Sequence, residues 1–270
     1  MALNKPGSDC DAPLVLVTRP AAQVATLQQQ LELKGLQALS LPMLALQPLL
    51  APSEIATAKT RYSSLPGDAI AIFISTNAVH FTRQFLEHQQ LGWSSSMPCL
   101  AVGKATAKAL EEAGFGGDTG LPVGSVADSE HLLQRAEVAQ VQGNTVALFR
   151  GVGGRELIAD TLRERGADVV KIEVYHRVRP QYPIGEVAEV LQQNGVAAIS
   201  VASGETLQNF LYHVAGGASS LPQTVAALPI FVPSARVAAL AQEAGFQCIV
   251  ETSGTVAEDV AKSIAGFFSR

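Results

Sequence analysis

The chain has 270 residues, 47% hydrophobic and 16% charged, with a mean hydropathy of +0.21. That excludes a disordered chain and suits one large domain or two of ordinary size. A net charge of −5, from 19 Lys+Arg against 24 Asp+Glu, speaks against a nucleic-acid binder and leaves room for a small polyanionic substrate in a locally cationic site. No apolar run of about 18 residues lacks polar breaks, so no membrane span is expected. The opening MALNKPGSDCDAP has no apolar stretch of signal length and reads as a frayed tail on a cytoplasmic protein. Cys10, Cys99 and Cys248 show neither zinc spacing nor C-x-x-C, and read as reduced, mostly buried thiols.

In chain order, six short apolar runs are each followed by a helical pattern. Leu14–Val17 precedes Gln23–Lys34, Ile70–Ile74 precedes Asn77–His88, and Cys99–Val102 precedes Ala105–Ala113. Thr145–Phe149 precedes Arg155–Arg165, Ala197–Val201 precedes Glu205–His213, and Pro229–Val232 precedes Ala235–Ala244. Continuously apolar strands alternating with amphipathic helices predict parallel sheets covered on both faces. Leu41–Leu49 and Lys171–Pro180 read as extended segments at the end of one βαβ unit in each half.

The halves also repeat. LVLVTRPAAQVATLQQQLELKGLQALSL aligns with TVALFRGVGGRELIADTLRERGADVVKI, placing Arg19 on Arg150 and Gly35 on Gly166, each pair 131 residues apart. Three later matches follow in the same order and set Ser75 on Ser203, Lys104 near Ser234 and Ser125 on Thr255. Four ordered matches predict an internal duplication. The extended segments would then be two crossings between domains, the N-terminal unit joining the last third of the chain around a continuous middle. Two tandem domains fit the same pattern.

In open α/β sheets ligands sit at the C-terminal strand ends, where helix N-termini offer free N–H groups. Those positions hold Thr18 and Arg19, Ser75, Thr76 and Asn77, Gly103, Lys104 and Thr106, Arg150, Gly153 and Arg155, Ser203, Ser234 and Thr255. Singly, the Ser, Thr and Asn residues read as helix caps that contribute about 1 kcal/mol each. Together they predict two rims of hydroxyls, amides and Arg that, facing across a hinge, would suit a ligand with several carboxylates. The turn Arg150-Gly151-Val152-Gly153-Gly154-Arg155 lacks the spacing of a dinucleotide or ATP loop, and Arg155 reads equally as a solvated helix cation. No hydrolase elbow or metalloprotease motif occurs. Of five scattered histidines only His176 lies in a crossing segment, beside Tyr175, which reads as a cleft hydroxyl or a hinge packing residue.

The motifs resemble the uroporphyrinogen-III synthase family along nearly the whole chain. The residues that carry the resemblance are Val17-Thr18-Arg19-Pro20, Gly35, Leu41-Pro42, Phe73–Val79, Val102–Ala107, Arg150–Glu156 and Glu173-Val174-Tyr175. The resemblance implies an α/β fold of two similar doubly wound parallel-sheet domains, flavodoxin- or Rossmann-like, joined by a two-stranded linker. The expected boundaries are 12–42 plus 181–270 for the discontinuous domain, 50–170 for the inserted one, and 43–49 and 171–180 for the linker. It also implies a monomeric lyase of heme biosynthesis without cofactor or metal, and no nucleic-acid or membrane partner. Its substrate would be hydroxymethylbilane, with eight carboxylates, and its partner the preceding pathway enzyme. The product would be uroporphyrinogen III, formed through azafulvene and spiro intermediates with the last ring inverted. Tyr175 is then the expected proton donor, and the rim residues the expected carboxylate ligands. The rivals are a two-lobed binding protein for a small polyanion, whose periplasmic form would need an export signal, and a nucleotide-dependent oxidoreductase.

Overall fold

A computed structural model describes residues 12–115, 132–154, 156–215 and 221–269. The chain divides into two compact units, one split (Met1–Ala45 with Val178–Arg270) and one continuous (Leu46–Arg177). Among the described residues are ten strands and eleven α-helices, and no helix is long and apolar enough to cross a membrane.

The split unit holds β1 (Leu14–Val17), α1 (Val24–Glu32), β2 (Gln37–Ser40), α7 (Glu186–Gln193), β8 (Val196–Ser200), α8 (Gly204–Ala215), α9 (Gln223–Ala226), β9 (Ile230–Val232), α10 (Ala235–Glu243), β10 (Ile249–Glu251) and α11 (Ala257–Phe268). Its sheet runs β10-β9-β8-β1-β2, with parallel neighbours throughout. Leu14 and Leu16 enter one apolar cluster with Val187 and Phe210, whereas Val15 and Val17 enter another with Leu27 and Ile264. Successive side chains of a strand point to opposite faces, so β1 is apolar at every position because helices cover both.

The continuous unit holds α2 (Pro52–Ser63), β4 (Ile70–Phe73), α3 (Thr76–Gln89), β5 (Cys99–Ala101), α4 (Lys104–Glu112), α5 (Ala136–Ala139), β6 (Thr145–Gly151) and α6 (Leu157–Glu164). The two strands at the chain crossings, β3 (Ala45–Pro48) and β7 (Asp168–Val178), complete its sheet, whose order is β3-β7-β6-β4-β5. The pairs β4–β5, β4–β6 and β6–β7 are parallel. One face packs Phe73 flat on Phe149, centroids 4.5 Å apart, with Trp93 and Phe115 beside them. The other buries Ile72, Val146, Leu148 and Leu162. Phe149 is fully buried, so Phe149→Ala should cost about 3–5 kcal/mol, read as a lowered denaturant midpoint. A loss below about 1 kcal/mol would show that this face is loosely packed.

Lys171–Tyr175, expected in a linker strand, pair with Leu148–Gly151 inside the sheet. The run alternates polar and apolar residues (Lys171, Glu173 and His176 among Ile172, Val174 and Tyr175), unlike the continuously apolar β1, β4 and β9.

The duplication is visible in strand register. Leu14 pairs with Gln37 and Thr145 with Asp168, both partners displaced by the 131 residues that separate Arg19 from Arg150. Val15 pairs with Ala198 as Val146 pairs with Ile70. Each sheet therefore joins one βαβ piece from the first half of the chain to one from the second.

Candidate functional site

Parallel strands end together, so each sheet gathers its strand-to-helix turns along one edge. In the split unit that edge carries Thr18, Arg19, Ser203, Ser234 and Thr255. Thr18 is fully buried, and its hydroxyl donates to Ser200 O at 2.9 Å, which ties β1 to β8. Arg19 is buried and donates through Nη2 to Thr255 O at 2.7 Å, while its Nε has no partner among the described residues. Burial works against its charge. Ser203 caps α8 reciprocally with Thr206: Thr206 N donates to Ser203 Oγ at 3.1 Å, and Ser203 N donates to Thr206 Oγ1 at 2.9 Å. Ser234 precedes α10 but makes no side-chain cap bond. Arg236, which the sequence reading left out, lies beside Gly204, where an added Cβ would come within 3.4 Å of its Nη1. Arg236 is exposed on the first turn of α10.

In the continuous unit the edge carries Ser75, Thr76 and Asn77 after β4, Gly103 and Lys104 after β5, and Arg150 and Gly151 at the end of β6 with the turn through Gly154 that follows. Ser75 Oγ accepts from Ala78 N at 3.2 Å and caps α3. Thr76 and Asn77 are half-buried in the first turn of α3, and Lys104 is exposed at the start of α4. Thr106, expected at the rim, is 3% exposed and belongs to the core side of α4. Gly103 (φ +86°) and Gly153 (φ +69°) hold left-handed turns that a larger side chain would strain.

Arg150 is the largest fully buried side chain described. It folds under its own turn, against Gly154, where a Cβ would lie 2.6 Å from Nη2. Its Nη1 donates to Glu156 Oε1 at 3.1 Å, Glu156 also receives Lys171, and Nη2 has no partner among the described residues. Burial opposes ionisation of Glu156, but Arg150 and Lys171 outweigh it and hold the carboxyl below its ordinary range. Tyr175 is 5% exposed, with its ring stacked on Phe81 at 4.9 Å and its carbonyl accepting from Val152 N at 2.8 Å. Its hydroxyl bonds to no described residue and is not among the sealed polar atoms. Arg155, Ser125, His131 and Cys10 lie outside the described residues.

The family model described as uroporphyrinogen-III synthase HemD matches residues 25–260. Uroporphyrinogen-III synthase of Salmonella typhimurium is 32% identical over 241 residues, 87% of this chain and 93% of that one.

The chain belongs to the uroporphyrinogen-III synthase family.

Its fold is shared with crystal structures of the family. Uroporphyrinogen-III synthetase of Helicobacter pylori superposes with a TM-score of 0.61 at 14% identity, over 94% of this chain and 99% of that one. A variant of the Thermus thermophilus synthase gives 0.58 at 18% identity, over 96% and 98%. Within the family frame, the residues anticipated from sequence fall into two sorts. Ser75, Thr76, Asn77, Gly103, Lys104, Gly153, Ser203, Ser234 and Thr255 are accessible at strand-end turns. Thr18, Arg19, Thr106 and Arg150 are internal. Sequence reasoning gave no role of their own to Gly151, Gly154 and Glu156, which it met only as parts of a motif, and passed over Thr206; the place of each depends on what packs on it.

Proposed function

We propose that the chain is a lyase of heme biosynthesis that converts hydroxymethylbilane into uroporphyrinogen III and water. The observation that carries this reading is the family match over residues 25–260. The strand order supports it: numbered within the split unit it is 2-1-3-4-5, the order of doubly wound flavodoxin-like folds. We therefore read each unit as such a domain, with two chain crossings between them, acting as a cytoplasmic monomer.

The residues do work suited to that reaction. Loss of the ring A hydroxyl as water leaves an electrophilic azafulvene. The last ring attacks it through its substituted carbon, and the spiro intermediate reopens and recloses with that ring inverted. The pyrroles supply the electrons, so the protein must chiefly hold the substrate curled and keep water out. The open amides of α3, α4, α8 and α10, with Ser75, Thr76, Asn77, Lys104, Ser234 and Arg236, are suited to substrate carboxylates. Thr18, Arg19 and Arg150 brace the turns that present them. Tyr175, whose hydroxyl bonds to no described residue, is our assigned donor of a proton to the departing hydroxyl. Hydroxymethylbilane supplied to the purified chain should yield uroporphyrinogen III. The alternative, a polyanion-binding protein, predicts only the spontaneous I isomer.

A further inference from the structure

Gly151 ends β6, and its backbone φ lies outside the left-handed region, so the backbone there would accept any residue. Space is what restricts it. A Cβ on Gly151 would lie 2.7 Å from Cε2 and 2.8 Å from Cζ of Tyr175. The phenol thus lies against the bare Cα of Gly151, with Phe81 stacked at 4.9 Å. Cζ is the carbon that bears the hydroxyl, so a methyl group there would push on the reactive end of the ring. A bulge between Arg150 and Gly151 sets Gly151 opposite Tyr175 in the register.

The duplication shows which part of this arrangement is peculiar to one copy. The offset that relates Arg19 to Arg150 sets Pro20 at the position of Gly151 and Leu44 at that of Tyr175. The buried Arg occurs in both copies, as a frame residue would. The glycine and the phenol occur together in only one.

We propose that Gly151 is a positioning residue, and that its missing side chain holds the Tyr175 hydroxyl in the place from which it donates. This rests on Tyr175 being the proton donor. The test compares Gly151→Ala, Tyr175→Phe and the double variant, using kcat and KM for uroporphyrinogen III and the ring resonances of 13C-tyrosine-labelled protein, Tyr175 being assigned by its loss in Tyr175→Phe. Gly151→Ala should move the Tyr175 resonance, leave those of Tyr62, Tyr182 and Tyr212 in place, and lower kcat by about tenfold or more with KM little changed. In the Tyr175→Phe background it should cost nothing further.

An unmoved Tyr175 resonance, or the same kcat loss in the Tyr175→Phe background, overturns the role of Gly151 while leaving Tyr175 standing. Wild-type kcat in Tyr175→Phe alone removes the proton donor, and the role of Gly151 with it. If Gly151→Ala does not fold, Tyr175→Leu in the same chain should restore folding, because the ring is the obstacle. Failure of that rescue would place the obstacle elsewhere.

Discussion

Replacing Tyr175 by Phe is expected to lower kcat for uroporphyrinogen III about a hundredfold, the lower range of a lost general acid, with the fold intact. The change removes one oxygen. That oxygen bonds to no described residue, so none is left unpaired by its loss. The ring keeps its stack on Phe81, and the backbone keeps its bond from Val152 N. Stability should therefore stay within about 0.5 kcal/mol of the parent, the range of changes that touch no packed or bonded feature. KM should change little, because the hydroxyl acts on the leaving group and not on the carboxylates. Initial rates of the III isomer are the measurement, since spontaneous closure to the I isomer continues without the enzyme. A Phe variant with parental kcat would mean that the proton comes from elsewhere.

Glu156→Ala should destabilise the continuous unit by about 3 kcal/mol, because it leaves Arg150 buried and unpaired. Arg150 has no exposed side-chain surface, while Glu156 retains 43% exposure. The cost lies on the Arg side: with the carboxylate gone, its one remaining bond among the described residues is Nε to Gly151 O at 3.3 Å. Gly154 leaves room for the guanidinium because it has no side chain. A denaturant midpoint within about 0.5 kcal/mol of the parent would show that water reaches Arg150. The same pair gives an acid dependence of known sign. The Glu156 carboxyl is held below its ordinary range, so its contribution is full above the unfolded pKa, about 4.3. It is lost as pH falls through the lower folded value. Parent and Glu156→Gln should therefore converge in stability as pH falls below the unfolded value and through the lower folded one, while equal pH slopes would contradict the pairing.

Strands and most helices were legible because burial on both faces leaves a continuous apolar run, as at Leu14–Val17 and Val146–Phe149. Helix α2 was not, since only Ala58 and Tyr62 of Pro52–Ser63 are buried and the apolar stripe is faint. Its one clear signal was Pro52 at the first helical position. Rim positions could be found as residues following strands, but not their burial. Arg19 and Arg150 looked like ligands because Arg usually reaches solvent, and only the packing shows them inside. Their occurrence at equivalent points of a duplicated frame was the available sign of a structural role. The contact of Gly151 with Tyr175 had no sequence signal, because it joins residues on different strands through a bulge.

The most direct test of the account is the product of the chain after chelation and desalting, incubated with hydroxymethylbilane and resolved into isomers. If its own residues suffice to hold the substrate and invert the last ring, uroporphyrinogen III will dominate and its share will rise with protein concentration. Uroporphyrinogen I alone, at the rate seen without protein, would contradict it.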